Sequence, residues 1–342
     1  MSGFKVAVVG ATGAVGEEIL SILDEKRFPI KELKLLASER SEGKVVRFQG
    51  VELKVEKAKP ESFDGVEFAF FSAGAKVSLD LVPEAVKRGA VVIDNTSAFR
   101  MDPEVPLVVP EVNPGDIKKH KGIIANPNCS TIIMVVALKP LHDAARVKRI
   151  VVSTYQAVSG AGARAMQALE EESRAYLEGR PVEPGILPFA KAPVHYQIAF
   201  NLIPHIDVFM ENGYTKEELK MVFETQKIMG DSAIAVTATT VRVPVFRSHS
   251  ESVNIETERK LTAAEAKRLL GSAPGITVLD SPGEMLYPMP LDVSGKDNVF
   301  VGRIREDNSI EKGLNLWVVG DQLRKGAALN AIQIAERIIG RS

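Results

Sequence analysis

The chain has 342 residues, 45% hydrophobic and 25% charged, with a formal net charge of −1. This is the composition of an ordinary globular protein long enough for two domains, and its balance of charge excludes a general pull toward nucleic acid or an anionic membrane. A single cysteine excludes an internal disulfide and suits a reducing, cytoplasmic setting; no apolar run approaches the roughly 20 residues of a membrane helix, and the start lacks the three-part pattern of a secretory signal.

The run FKVAVV (4–9) reads as a buried strand, and GATGAVGEEIL after it as a glycine turn opening a helix. Strand-like runs follow at 33–37, in two short segments within 45–55, and at 67–74, 90–99 and 107–113, with a helical stretch at 75–88. Short apolar runs alternating with helices predict βαβ units and a mostly parallel sheet. The style changes near residue 127. RIVVSTYQAVSG (149–160) reads as a strand ending in a glycine-rich loop, 163–179 as a helix closed by Gly179, and the proline-rich 181–205 as loop. The helix predicted at 215–230 opens with Thr215 and Glu218, the capping-box spacing. Four alternating segments, IAVTATTVRVPV, SESVNIETE, NVFVGRIRED and GLNLWVVGD, read as antiparallel strands. A helix over 321–339 closes the chain and is free to return to the first domain.

Gly10, Gly13 and Gly16 lie between the first strand and its helix. Glycines there let the backbone turn tightly and bring N–H groups to a pyrophosphate, although Thr12 stands where a G-x-G-x-x-G fingerprint has its second glycine. The same pattern also suits a plain strand-to-helix turn. After the second strand, Ser38, Arg40 and Ser41 suit a ribose 2′-phosphate and hence NADP, while Glu39 and Glu42 argue the other way.

Cys129 stands in NPNCST. Pro127 holds Asn126 extended, Asn128 is a good helix N-cap, and an apolar helix follows. That puts the sulfur at a helix N-terminus, where the dipole and free N–H groups favour thiolate and can hold an oxyanion. Of the five histidines, His120 and His142 read as surface residues, and His195 and His205 fall in the proline-rich loop. His249 follows an apolar strand, seven residues after Arg242. The pair could line one pocket or sit on a surface turn, and spacing leaves both open.

The motifs GATGAVG, NTSAFR, NPNCST, YQAVSGAG, ETQKI, RVPVFRSHSE and GDQLRKGAALNA occur in an order that resembles the aspartate-β-semialdehyde dehydrogenase family over nearly the whole chain. The resemblance implies an α/β protein with a Rossmann-type dinucleotide-binding domain (1–127 and 321–342). An α+β catalytic and dimerisation domain with a mostly antiparallel sheet (128–320) would complete it. It implies NADP-dependent conversion of aspartyl phosphate to aspartate semialdehyde, on the route to lysine, threonine and methionine. The implied partners are the small-molecule substrate, inorganic phosphate and a second copy of the chain, as a homodimer or dimer of dimers; no metal, nucleic acid or membrane is implied.

Residue by residue, the resemblance makes Cys129 the nucleophile that forms an acyl-enzyme, His249 the general acid/base and Gln156 a substrate-orienting group. Arg242 and Glu224 would bind the substrate carboxylate and ammonium, and Arg100, Asn128 and Lys227 the phosphate. Cofactor contacts would come from the first turn, at Gly10, Thr12, Gly13, Ala14, Val15 and Gly16, and from Ser38, Arg40, Ser41 and Ser72. Ser159, Gly160 and Gln322 complete that set; the family commonly has Asn at the last position, so the longer Gln changes its reach. Two other readings compete. N-acetylglutamyl-phosphate reductase would give Glu224 no ammonium to bind, and a non-catalytic NADP-binding redox sensor would leave Arg100, Lys227 and Arg242 without a common target.

Overall fold

The computed structural model describes residues 3–341; Met1, Ser2 and Ser342, inside the expected domain bounds, lie outside the described residues. The chain divides into two compact units, one running to Asn128 and resuming at Ala327, the other spanning Cys129–Gly326.

The first unit contains β1 (Phe4–Val9), α1 (Ala14–Glu25), β2 (Ile30–Ala37), β3 (Val45–Phe48), β4 (Val51–Lys57), β5 (Phe68–Phe71), α2 (Ala75–Lys87), β6 (Val91–Asp94) and β7 (Ile123–Ala125). The sheet order is β3-β4-β2-β1-β5-β6-β7. Its pairs are parallel except the β3–β4 hairpin at one edge. The central strands are apolar without alternation because both faces are covered. Val6, Val8 and Phe70 pack on one side with Ile19 and Ile332, while Ala7, Val9 and Phe71 pack on the other with Val82 and Ala85. The strand expected at 107–113 does not form. Leu107 makes one bridge to Ala125, and Pro106 and Pro110 lack the N–H groups that a continued ladder needs.

The second unit contains α3 (Cys129–Ala145), β8 (Val147–Gln156), α4 (Ala163–Leu177), α5 (Lys216–Met229), β9 (Ala235–Arg242), β10 (His249–Thr257), α6 (Ala263–Gly271), β11 (Ile276–Val278), α7 (Pro290–Val293), β12 (Val299–Asp307) and β13 (Gly313–Gly320). Its sheet runs β11-β12-β13-β10-β8-β9. The middle pairs are antiparallel as expected, but β9 lies parallel to β8, and β11 parallel to β12, so the sheet is mixed. A crossover carrying α4 and α5, not a hairpin, joins β8 to β9, and that connection produces a parallel pair.

The Thr215 capping box forms: Thr215 Oγ1 accepts from the Glu218 N–H at 3.3 Å and Glu218 Oε2 from the Thr215 N–H at 2.7 Å. Glu218 Oε1 also accepts from the Thr240 N–H at 2.9 Å, so the cap pins α5 to β9. Across the far edge of β9, Arg242 exchanges backbone bonds of 2.8 and 3.0 Å with Ile203 of the proline-rich loop.

The closing helix starts later than expected. Residues 324–328 form a π turn, and α8 (Leu329–Ile338) belongs to the first unit. Residues 321–326, expected with the cofactor domain, group with the second unit instead. The physical reason is Asp321, which accepts from Arg247 Nε and from the Gly295 N–H, each at 2.6 Å. No helix among the described residues is long and apolar enough to cross a membrane.

Candidate active site

In the first unit, α1 begins at Ala14 directly after the glycine turn. Gly10 has φ +90, and a Cβ there would meet the carbonyl carbon and hydroxyl of Ser72 at 2.9 Å. A Cβ on Gly16 would lie 2.1 Å from the Gly10 carbonyl oxygen. Both positions therefore exclude a side chain, and the turn keeps the N-terminus of α1 close to the ends of β1 and β5. Val15 packs into the core below. Thr12 Oγ1 donates to Ser41 Oγ at 3.1 Å, tying the turn to the segment after β2, where Ser38 and Arg40 are exposed. This cradle of backbone N–H groups with a nearby exposed guanidinium fits a dinucleotide.

Arg100 is buried in the same unit. Its Nε donates to the Asn126 carbonyl at 2.9 Å and its Nη2 to the Asn95 carbonyl at 2.8 Å. The Asn126 side chain accepts from Asn330 Nδ2 at 2.7 Å and donates to Asn95 Oδ1 at 2.6 Å. Asn330 was missed in the sequence. Its signal was a lone amide on the apolar stripe of the closing helix.

In the second unit, Cys129 is the first residue of α3 and half-buried. Gln156 and Arg242 face each other at the C-terminal ends of the parallel β8 and β9. The antiparallel β10 starts at the same end: Ser250 pairs with Tyr155, which brings His249 beside Gln156. Three side chains from three strands thus form one row across the sheet end.

The backbone of Ala157 joins two members of the row. Its carbonyl accepts from Arg242 Nη1 at 2.8 Å, and its N–H donates to His249 Nδ1 at 3.1 Å. His249 is fully buried, not on a surface turn. With Nδ1 occupied as acceptor, the neutral ring carries its proton on Nε2, which has no partner among the described residues. Burial, and then the Arg242 charge, hold the His249 pKa down at about 3, with Glu217 opposing them. Burial also lowers the pKa of Arg242, while the charges of Glu217 and Cys129 act the other way. Cys129 therefore lies within the electrostatic reach of Arg242.

Gly160 leaves this row open. A Cβ there would stand 3.0 Å from Arg242 Nη1 and 3.3 Å from His249 Nε2. Gln322 is committed within the unit: its Nε2 donates to Ser159 Oγ, and its Oε1 accepts from the Ser248 N–H at 2.8 Å. Ser248 has φ +74, so the Gln322 amide steadies a strained residue next to His249. Glu224 is buried on α5 and Lys227 half-buried one turn further on. The row missed in the sequence a fourth member, Glu217, whose Oε1 accepts from Gln156 Nε2 at 3.3 Å.

The structure thus gathers Cys129, Gln156, Ser159, Gly160, Arg242 and His249 in the second unit, with Glu224 and Lys227 on its helix α5. Arg100, Asn128, Ser72 and the residues of the glycine turn belong to the first unit. His120 and His142 are half-buried rather than on the surface, because each accepts a nearby backbone N–H, from Gly122 at 3.1 Å and Val147 at 3.2 Å.

Residues 5–120 match the family described as semialdehyde dehydrogenase, NAD binding domain, and residues 138–325 the semialdehyde dehydrogenase dimerisation domain. The chain is 57% identical to the aspartate-semialdehyde dehydrogenase of Aquifex aeolicus and 56% to that of Bacillus subtilis, over 98% of this chain and 98% and 97% of theirs. A crystal structure of aspartate semialdehyde dehydrogenase II from Vibrio cholerae, complexed with ASA, matches with a TM-score of 0.94 at 50% identity, over 99% of both chains. The Candida albicans enzyme with NADP matches with a TM-score of 0.75 at 27% identity, also over 99% of both.

One step below the row, Thr154 stands between Glu251 and Thr240. Glu251 is fully buried, and neither carboxyl oxygen has a partner among the described residues. Burial raises its pKa well above the usual value, which favours its neutral form in the folded protein. In the unfolded chain the group ionises above about pH 4.3. Above that pH the folded state binds the extra proton, so this group's contribution falls as pH rises, by up to about 1.4 kcal/mol per pH unit. Glu251→Gln removes the titration. As pH rises above the range where the unfolded group ionises, denaturant melts should show the wild type losing stability relative to the Gln variant. Parallel pH profiles for the two proteins would show that Glu251 does not titrate differently on folding.

Proposed function

The chain belongs to the aspartate-semialdehyde dehydrogenase family, and on that premise we propose how its residues carry out the reductive dephosphorylation of L-4-aspartyl phosphate to L-aspartate 4-semialdehyde. The observation that carries this reading is Ala157 holding Arg242 and His249 side by side, within the electrostatic reach of the only cysteine.

The Cys129 thiolate, at the start of α3, attacks the acyl carbon. The C–S bond forms as the C–O bond to phosphate breaks, which leaves a thioester. The planar fork of Arg242 binds the substrate carboxylate, and Glu224 its ammonium. Gln156 orients the reacting carbonyl. Arg100, Asn128 and Lys227 keep the phosphate role of the family pattern. A nicotinamide cofactor, when bound, supplies the hydride. The family pattern makes His249 the general acid/base; with burial and Arg242 holding its pKa at about 3, it acts here as a neutral ring whose Nε2–H donates a hydrogen bond to the oxyanion. Collapse of the thiohemiacetal breaks the C–S bond and returns the Cys129 thiolate. The ammonium role of Glu224 supports the aspartyl substrate over an acylated one.

Three finer assignments complete the proposal. The cofactor is NADP, supported by the exposed Arg40 and by Ser41 tied to Thr12. The chain works as a homodimer or dimer of dimers, supported by the dimerisation-domain match. It acts in the cytoplasm, which suits a chain with one free thiol.

Cys129→Ala should lower turnover by roughly 10⁴-fold or more, the scale of removing a nucleophile, while cofactor binding stays intact. Mass spectrometry of the quenched wild type should find an acyl adduct on Cys129; substantial turnover in the variant would end this reading. Arg40→Ala should weaken NADP by about ten- to a hundredfold and leave NAD unchanged, since a charge-assisted contact contributes about 1.5–3 kcal/mol. Equal weakening of both cofactors would remove Arg40 from the 2′-phosphate. Sedimentation equilibrium should return a dimer or tetramer, and a monomer would contradict the assembly.

A further inference from the structure

Asn330 has no part in the reaction described above, yet it is fully buried on α8, where the other buried side chains, Leu329, Ala331, Ile332, Ile334 and Ala335, are all apolar. An amide in such a place costs free energy unless its polar atoms are met. Its Nδ2 donates to the Val108 carbonyl at 2.9 Å and to Asn126 Oδ1 at 2.7 Å, 204 residues earlier in the chain. Asn126 Nδ2 donates in turn to the Ala327 carbonyl at 3.2 Å and to Asn95 Oδ1 at 2.6 Å.

The two ends of an amide are nearly equal in size, and here two backbone carbonyls decide which way each points. A carbonyl only accepts, so Asn330 turns Nδ2 to Val108, and Asn126 turns Nδ2 to Ala327 and Oδ1 to Asn330. The Asn126 backbone is held as well. Its N–H donates to the Asp94 carbonyl at 2.8 Å, and its carbonyl accepts from Arg100 Nε at 2.9 Å. Pro127 has no N–H to add a further tie, so the direction in which the chain leaves β7 for Asn128 and α3 is set at Asn126. The π turn before α8 gives a second, independent sign. A Cβ on Gly326 would lie 3.0 Å from Cys129 Cβ, so this turn packs against the first residue of α3 with no room for a side chain.

We propose that Asn330 is a positioning residue for the reaction: through the Asn126 amide it fixes the segment from β7 to α3, and with it the Cys129 thiol at the start of that helix. This rests on the role assigned to Cys129 above. Without Asn330 the buried Asn126 Oδ1 loses its donor, and the amide has to rotate to find another. Asn330→Leu keeps the size of the side chain and removes the donor.

The test uses the full-length enzyme, assayed in the phosphate-dependent direction from the semialdehyde. Asn330→Leu should lower kcat by about tenfold or more with the cofactor KM unchanged. Alkylation of Cys129 by iodoacetamide at pH 7, which needs no substrate, should slow by about threefold or more, because the pull of a helix N-terminus on a thiolate fades outside the first turn. In a double-mutant cycle with Asn126→Ala, the Asn330→Leu step should cost less than about twofold in kcat once the Asn126 amide is gone. Full multiplication of the two effects would place the action of Asn330 elsewhere and overturn the inference. If Cys129→Ala is inactive but Asn330→Leu turns over and alkylates like the wild type, this inference falls while the role of Cys129 stands. If Cys129→Ala turns over normally, both fall. Should Asn330→Leu fail to fold, Asn330→Asp keeps the shape with at most one donor hydrogen for two acceptors. It should show the same fall in kcat and in alkylation rate, and wild-type values for both overturn the proposal equally.

Discussion

A guanidinium taken almost wholly out of water has to be met by fixed dipoles and charges, and Arg242 is such a group. Its placement constrains much of the second unit. It ends β9, whose parallel pairing with β8 sets it across from Gln156. Its backbone is tied on the other side to Ile203, which occupies the open edge of β9. Its Nη1 is met by the Ala157 carbonyl, and the N–H of the same residue fixes the ring of His249. A cation, a polarisable ring and an amide are therefore held by strand register and backbone, the least mobile parts of a fold. The long proline-rich loop also has a clear task here, as a cover for an edge that carries a buried charge.

The first unit solves a different problem, with close backbone approach in place of buried charge. Its sheet is apolar on both faces, so the strand ends must supply the chemistry. Gly10 and Gly16 let strand and helix approach to a distance that any side chain would prevent. Arg100 braces two carbonyls around the segment leading into Cys129, and the Asn95, Asn126 and Asn330 amides lock that segment from within.

Local patterns carried most of what the sequence disclosed. The glycine turn, the capping box at Thr215 and the cysteine opening a helix each depend on neighbours within a few residues, and each is found where the spacing put it. What depends on distant parts of the chain was not legible. The alternation in 235–242 announces a strand but cannot say that a crossover will make it parallel. The run at 107–113 has strand composition, yet its prolines deny the ladder. Glu217 sits in KEELK, where the spacing announces only a helix cap, and its burial follows from α5 packing on β9. His249 left two readings open because its cover comes from the loop at 157–160 and from Gln322, far away in sequence. Residues 321–326 looked like the start of a helix, and only the bonds of Asp321 to Arg247 and Gly295 reveal which unit owns them.

The single thiol has an analytical consequence. Every other side chain in the 342 residues lacks a sulfhydryl, and the one present is half-buried at the first residue of α3. A thiol-directed reagent can therefore modify one position per chain and no other. Its uptake counts chains stoichiometrically, and its rate reports access to the start of that helix without any need to engineer out background cysteines. Oxidation also has few outcomes: no second thiol exists within the chain, so any disulfide has to be made with a small-molecule thiol or with another chain.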